Sequence, residues 1–143
     1  MKYTTITISL AAVLCCPAPA ELPDNPTTPQ DYYAVQDEVV SALNQLSSIL
    51  QGVKDKAAAD AAAPAVNDLA ANVEHAVQLI LDKQEEVQKI LEQRQDFTPA
   101  QYDDALFAVV KVNSELTVRE YYHSTALAAA KEAFTRAITG RGE

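Results

Sequence analysis

Beyond its first residues this chain contains no sulfur. Both cysteines, Cys15 and Cys16, and the only methionine lie at the start of the 143 residues, and tryptophan is absent throughout. Thiolate zinc centres, iron–sulfur clusters, attached c-type haem and Met-ligated metals all need side chains that residues 21–143 lack. We therefore expect neither a disulfide, nor thiol chemistry, nor any of these cofactors there.

Basic residues and glycines are scarce as well. Eleven Lys and Arg stand against twenty Asp and Glu, which gives a formal charge of −9, or −10 once Lys2 is removed with a signal peptide. Nucleic-acid binding needs clustered Lys and Arg at phosphates, and anionic membranes repel an acidic surface. The three glycines form neither a phosphate loop nor a Gly-x-Ser-x-Gly elbow. We expect no nucleic-acid partner, no cofactor, no catalytic residue and no enzyme activity.

The first twenty residues have the pattern of an export signal. Lys2 provides the positive start, residues 6–16 the apolar run, and residues 18–20 the small side chains that a signal peptidase recognises. We expect cleavage after Ala20 and a protein that works in the periplasm or outside the cell. The apolar run is shorter than the roughly 20 residues that span a bilayer, so no membrane insertion is expected after cleavage. Lipid attachment at either cysteine is a minor alternative.

C-terminal to the signal peptide, the sequence predicts one helical domain. Residues 21–28 hold prolines among polar residues and form a linker, residues 29–139 form the helical bundle, and residues 140–143 form a flexible tail. Apolar residues recur at helical spacing and no stretch alternates with period two. The predicted fold class is therefore all-α, without a sheet.

The first helix is predicted to begin at Pro29. Thr28 can cap it, Pro29 suits the first helical position, and Asp31 can return a hydrogen bond to the cap. Gly52 is expected to end the helix in a left-handed conformation. One apolar stripe follows this helix: Tyr32, Val35, Val39, Leu43 or Ala42, Leu46 and Leu50.

The second helix is predicted to start irregularly. The alanine-rich stretch from Asp55 is interrupted by Pro64, which predicts first turns that are bent or loosely attached. A long amphipathic helix is expected to follow over residues 66–91. Its apolar repeat is broken at Gln84.

The string FTPAQ at residues 97–101 marks the start of the third helix. Thr98 can cap this helix, Pro99 suits its first position, and Gln101 can return a bond to the cap. The string also resembles the LTxxQ motif of small exported stress chaperones, with Phe97 in place of Leu and no repeat of the motif. That resemblance implies a client-binding surface on an exported helical dimer. A periplasmic protein that binds clients in the manner of a chaperone is therefore one functional alternative.

The second and third helices are expected to form an antiparallel hairpin on which the shorter first helix packs. This is a three-helix or partly open four-helix bundle, and if the chain breaks at Asn113–Ser114 a compact four-helix bundle could bury the whole apolar seam internally. The short helix leaves part of the apolar seam along residues 66–91 and 106–138 uncovered. Because monomers rarely expose such a seam, we expect a homo-oligomer, a non-catalytic structural or interaction protein that associates with itself.

Glu120 and His123 are the only candidate metal ligands. A Glu-x-x-His step on a helix places a carboxylate and an imidazole on one face, as in carboxylate-bridged di-iron bundles. Those bundles need a second step, but His75 has Asn72 at the matching position. Two copies of Glu120 and His123 could complete a site in a dimer, which makes a metal-binding bundle the other alternative. Otherwise His123 is expected at or beside the helix seam, with Glu120 or Asn113 bonding its ring and no metal bound.

Overall fold

The computed structural model describes residues 22–140, and this part of the chain is all-helical, without a strand, which confirms the predicted fold class. The helices are α1 (Pro29–Gln51), α2 (Lys56–Leu81), α3 (Gln84–Glu92), α4 (Pro99–Val118) and α5 (Thr125–Thr139), with a short turn at Glu120–His123. The predicted signal peptide and most of the predicted tail lie outside the described residues. Within residues 22–140, no helix is both long enough and apolar enough to cross a membrane.

The predicted starts of α1 and α4 are confirmed. The Thr28 N–H donates to Asp31 Oδ2 at 2.8 Å, and the Asp31 N–H donates to Thr28 Oγ1 at 3.3 Å. At α4, the Thr98 N–H donates to Gln101 Oε1 at 3.0 Å. Both helices also have a proline in the first turn, so short-range sequence decides where each begins.

The apolar stripe of α1 faces the core as predicted. Every residue of the stripe is buried: Tyr32, Val35, Val39, Ala42, Leu43, Leu46 and Leu50. The Tyr32 hydroxyl donates to the Pro26 carbonyl at 3.2 Å, and Pro26 is itself buried. Leu22 packs beside Val35 and Val39. The segment before α1 is thus held against the helices at two points.

The prediction for the end of α1 is wrong, and the prediction for the start of α2 is wrong in part. Gly52 ends α1 with φ −73°, in the right-handed region, because its N–H still reaches the Ile49 and Leu50 carbonyls. Pro64 lies inside α2, which is one continuous helix. The first turns of α2 are not loosely attached, since Ala59 and Ala63 are buried there. A bend of the helix at Pro64 stays a prediction.

The two long predicted helices are each divided. The second ends at Leu81 and resumes as α3 at Gln84, where the apolar repeat breaks. The third does not break at Asn113–Ser114, because α4 continues through these residues to Val118. The chain turns instead at Glu120–His123, so the third helix is divided, but not at the residues named as its possible break. All four residues of the turn have positive φ, which a right-handed helix does not accommodate.

α1 and α4 pack side by side and run in the same direction. Arg94, shortly before α4, donates to the Tyr33 carbonyl and to the Gln36 side chain in the first turns of α1. At the opposite ends of the two helices, Leu50 of α1 and Leu116 of α4 line one cavity. The start of α4 is therefore positioned by the start of α1.

α2 packs most extensively on α5, and these helices also run in the same direction. Ser124, just before α5, bonds to Asp60 near the start of α2, and Gly140, just after α5, lies beside Leu81 at the end of α2. Small side chains let the two helices approach closely, and the buried alanines of α2 and α5 are Ala59, Ala63, Ala70, Ala76, Ala130 and Ala137. Within residues 22–140, the backbone of α4 approaches neither α2 nor α5 closely. The predicted antiparallel pairing of the second and third helices is therefore not found.

Candidate functional site

A groove of about 750 Å³ opens at the end of the molecule where α1 and α4 begin. The ends of α2 and α5 and the length of α3 border the same space. Its walls are mainly apolar and include Val39, Val77, Ile80, Leu91, Phe97 and Ile138. The volume lies within the range of pockets that bind ligands in proteins.

Arg94 fixes the chain between α3 and α4 along one side of this groove. Its guanidinium is paired with Asp37 and Asp96, each at 2.9 Å, and donates to the Tyr33 carbonyl at 3.1 Å. The rings of Tyr33 and Phe97 cover the guanidinium, with centroids 5.0 and 5.1 Å away. Only 7% of the Arg94 side chain is exposed. Hydrogen bonds to Asp96 and Asp37 raise the pKa of Arg94, and Arg94 in turn lowers the pKa of Asp96.

The groove is electronegative. Glu92 and Asp103 line it, and neither belongs to an ion pair in the part of the chain that the structure describes. Arg94 lines it too, but its charge is already balanced by two carboxylates. Burial raises the pKa of the Tyr102 hydroxyl, and the charge of Asp103 raises it further. An anion is therefore disfavoured in the groove, whereas a cation attached to an apolar group is favoured.

The two candidate metal ligands come together, but not on a helix face. His123 Nδ1 lies 3.3 Å from Glu120 Oε2, and the two side chains are 79% and 75% exposed. The expected position of His123 at the helix seam is wrong, because the chain leaves the helix before it reaches this residue. Asn113 instead accepts a hydrogen bond from the Tyr121 hydroxyl at 2.8 Å. No group of three or more potential ligands occurs among the described residues, and a metal site completed by a second copy stays a prediction.

Glu120–His123 form a turn of left-handed backbone. Their φ angles lie between 49° and 61°, a region that costs L-residues roughly 1–2 kcal/mol each. Side chains on either side hold the turn in place. Arg119 Nη1 donates to the Tyr122 hydroxyl at 2.8 Å, and Ser124 Oγ donates to Asp60 Oδ1 at 2.6 Å. Ser124 also caps α5, so one residue both anchors the turn and starts the next helix.

Arg94 and Ser124 were not predicted as functional residues from the sequence. Each acts through a residue far away in the chain, since Arg94 pairs with Asp37 and Ser124 bonds to Asp60. A serine directly before a helical apolar run is a cap signal that would have placed the start of α5. No local pattern indicates the pairing of Arg94, which depends on the packing of α3 and α4 against α1.

α4 presents apolar side chains on the side that faces away from α1. Ala105 and Leu116 are buried on its inner side. On the other side, Phe107, Val110 and Val118 are 70%, 51% and 85% exposed. Helix geometry places these three residues, which we call the outer stripe of α4, on one face. An exposed apolar stripe of this kind is typical of an interaction surface.

No known family model matches this chain, and neither a curated protein nor a solved structure is significantly similar to it. The likeness of residues 97–101 to a chaperone motif is therefore a resemblance over five positions, and the client-binding alternative stays a prediction. The function has to be argued from the two surfaces described above, the groove and the outer stripe of α4.

Proposed function

We propose that this protein acts by binding rather than by catalysis, and that it associates with itself through the outer stripe of α4. One observation carries the proposal, the exposure of Phe107 and Val118 on the side of α4 away from α1. Fully burying an apolar side chain of this size contributes about 1.5–3 kcal/mol, which a second copy can supply. Because the stripe lies on a single helix, the association is concentration-dependent rather than obligate.

The charges along α4 suit two copies that run in opposite directions. Lys111 and Glu115 are exposed and flank the stripe. In an antiparallel pair centred near Asn113, Lys111 of each copy lies close to Glu115 of the other, as two-fold symmetry requires. Phe107 of one copy then lies near Val118 of the other. The stripe is therefore complementary to itself in charge.

A partly open arrangement of helices supports the same proposal. We propose that α1, α2, α4 and α5 form a four-helix bundle that is open between α4 and α5. The packing of α1 on α4 and of α2 on α5 supports this arrangement. Because α1 packs on the inner side of α4, the opposite face, which carries Phe107 and Val118, is available for a second copy.

The proposed place of action is outside the cytoplasm, in the periplasm or beyond. The charged start, apolar run and small residues at positions 18–20 support removal of the first twenty residues. N-terminal sequencing of the protein recovered from the export compartment tests this, and the expected first residue is Glu21. Recovery of the uncleaved chain from the cytoplasm alone would contradict it.

Self-association is tested by native mass spectrometry and sedimentation velocity over a range of concentrations. The single variants Phe107→Glu and Val118→Glu are expected to remain monomeric at concentrations where the original protein associates. Both side chains are exposed, so the thermal melting curves of these variants are expected to match that of the original protein at concentrations where the original is monomeric. Gln78→Glu, on an exposed position of α2, adds the same charge and is the matched control. A monomeric original protein, or stripe variants that still associate, would overturn the proposal.

A further inference from the structure

We propose that the groove where α1 and α4 begin binds a short segment of another polypeptide, one that carries apolar side chains together with Lys or Arg. Nothing in the outer stripe of α4 lines this groove. Binding in the groove therefore does not depend on self-association, and either can fail without the other.

The preference of the groove for apolar ligand side chains comes from its walls. Phe97 on one side faces a space also lined by Val77, Ile80 and Ile138, which belong to α2 and α5. Leu81, at the end of α2, is 41% exposed at the same groove. Apolar side chains that enter the groove leave water and cover these walls, which favours binding in proportion to the area covered.

The preference of the groove for a basic ligand comes from two carboxylates. Glu92 and Asp103 line the groove, and Gln88 Nε2 donates to Glu92 Oε1 at 3.0 Å, which orients that carboxylate. Arg94 cannot attract an anionic ligand, because Asp37 and Asp96 already pair with it. A Lys or Arg beside the apolar side chains of the ligand would pair with these two carboxylates and balance their charge.

Three glutamines favour a polypeptide over a small amphiphile. Gln36, Gln84 and Gln88 all line the groove. Gln36 Oε1 accepts from Arg94, which leaves its amide N–H groups for a ligand, and Gln88 donates to Glu92, which leaves its carbonyl oxygen. The groove thus offers both a donor and an acceptor beside its walls. A polypeptide backbone presents both partners at every residue, whereas a long-chain amine presents only a cationic head.

Three labelled octapeptides test the proposal by fluorescence anisotropy against the purified protein. The first alternates Leu with Lys, the second alternates Leu with Glu, and the third alternates Ser with Lys. Only the Leu–Lys peptide is expected to bind measurably. Equal binding of the Ser–Lys peptide would show attraction by overall charge alone, and equal binding of the Leu–Glu peptide would show that the carboxylates do not select. Either result would overturn the proposal.

A pair of double variants locates the binding in the groove. Glu92→Gln with Asp103→Asn is expected to weaken Leu–Lys binding about fivefold, the effect of two exposed ion pairs. The control, Glu85→Gln with Asp104→Asn, makes the same charge change on α3 and α4 at exposed positions outside the groove and is expected to leave affinity unchanged. Equal effects of the two double variants would place binding elsewhere. All variants are compared at concentrations where native mass spectrometry shows that they have the same oligomeric state.

Dodecylammonium distinguishes a peptide site from a site for any cationic amphiphile. The Leu–Lys peptide is expected to bind in the presence of dodecylammonium, with at most partial competition. The double variant Gln36→Ala with Gln84→Ala is expected to weaken binding of the peptide but not binding of dodecylammonium. Complete displacement of the peptide at stoichiometric dodecylammonium, with no effect of the glutamine variants, would overturn the assignment to a polypeptide.

Discussion

Ser124 Oγ donates a hydrogen bond of 2.6 Å to Asp60 Oδ1, across 64 residues of sequence. Asp60 is paired at the same time with Lys56 Nζ at 2.6 Å. The hydrogen bonds from Lys56 and from Ser124 lower the pKa of Asp60. Because Ser124 also caps α5, this single contact ties the start of α5 to the start of α2.

Ser124→Ala is expected to destabilise the protein by about 1 kcal/mol through loss of the cap alone, with a further loss from the contact to Asp60. Urea unfolding followed by circular dichroism measures the change. Ser114→Ala is the control, since the Ser114 hydroxyl is exposed and bonds only to the Val110 carbonyl one turn earlier. If Ser124→Ala and Ser114→Ala have equal effects, the contact between Ser124 and Asp60 does not contribute to stability.

Arg94→Lys is expected to cost about 2 kcal/mol, even though the charge is kept. An ammonium group cannot reach Asp37, Asp96 and the Tyr33 carbonyl together while lying between two aromatic rings. Urea unfolding gives the free energy, and amide hydrogen exchange between α3 and α4 is expected to speed up locally. Arg136→Lys, at an exposed position in the last turn of α5, is the control and is expected to have little effect. Unchanged exchange in Arg94→Lys would argue against this role.

Glu120→Gly is expected to be more stable than Glu120→Ala by about 1 kcal/mol. Glu120 has φ 49°, where glycine has no side chain to clash but alanine keeps the strain. In an ordinary helical position the order is reversed, since glycine costs more conformational entropy on folding. The comparison of the two variants by thermal and urea unfolding therefore reports the left-handed backbone directly. An alanine variant at least as stable as the glycine variant would contradict it.

Stability is expected to fall in acid, below about pH 4. The Thr27 N–H lowers the pKa of Asp31, and Arg94 lowers the pKa of Asp96. Each of these carboxyls, like Asp60, takes up protons more readily in the unfolded chain. Their contribution is therefore present above the unfolded pKa and is lost as pH falls through the folded pKa. Melting temperatures from pH 2 to 7 measure the slope, and Asp31→Asn is expected to flatten it.

Glu38 is expected to have the opposite effect on the pH dependence of stability. It is buried on α1, and burial raises the pKa of its carboxyl. Its contribution to stability is present below the unfolded pKa and is lost as pH rises through the folded pKa. Glu38→Gln is therefore expected to stabilise the protein more at pH 7 than at pH 3. Glu74→Gln, at an exposed position of α2, is the control, and equal effects of Glu38→Gln at both pH values would refute the assignment.

The helix starts could be predicted because their signals are short-range. Thr28 with Asp31 and Thr98 with Gln101 lie three residues apart, and each pair forms the bond that the sequence indicates. The buried stripe of α1 could also be predicted from the sequence, since its apolar residues recur with the period of a helix.

The path of the chain after α4 could not be predicted in this way. Glu120–His123 contain neither glycine nor proline, so no local signal marks a left-handed turn. The turn forms because α5 packs on α2, while α4 packs on α1. The groove depends on the same long-range packing, because its walls come from helices that are far apart in the sequence.

Leu22 and Gly140 lie at the same end of the molecule, and that end holds the groove. Leu22 packs in one cluster with Val39 and Ile138, and Gly140 lies beside Leu81, so the first and last residues that the structure describes both lie next to residues of the groove. A tag or surface tether joined next to either of these two residues would therefore crowd the groove. A fluorophore attached there would instead report whether the groove is filled. The loop between α1 and α2, at the opposite end, is the attachment point that leaves the groove open.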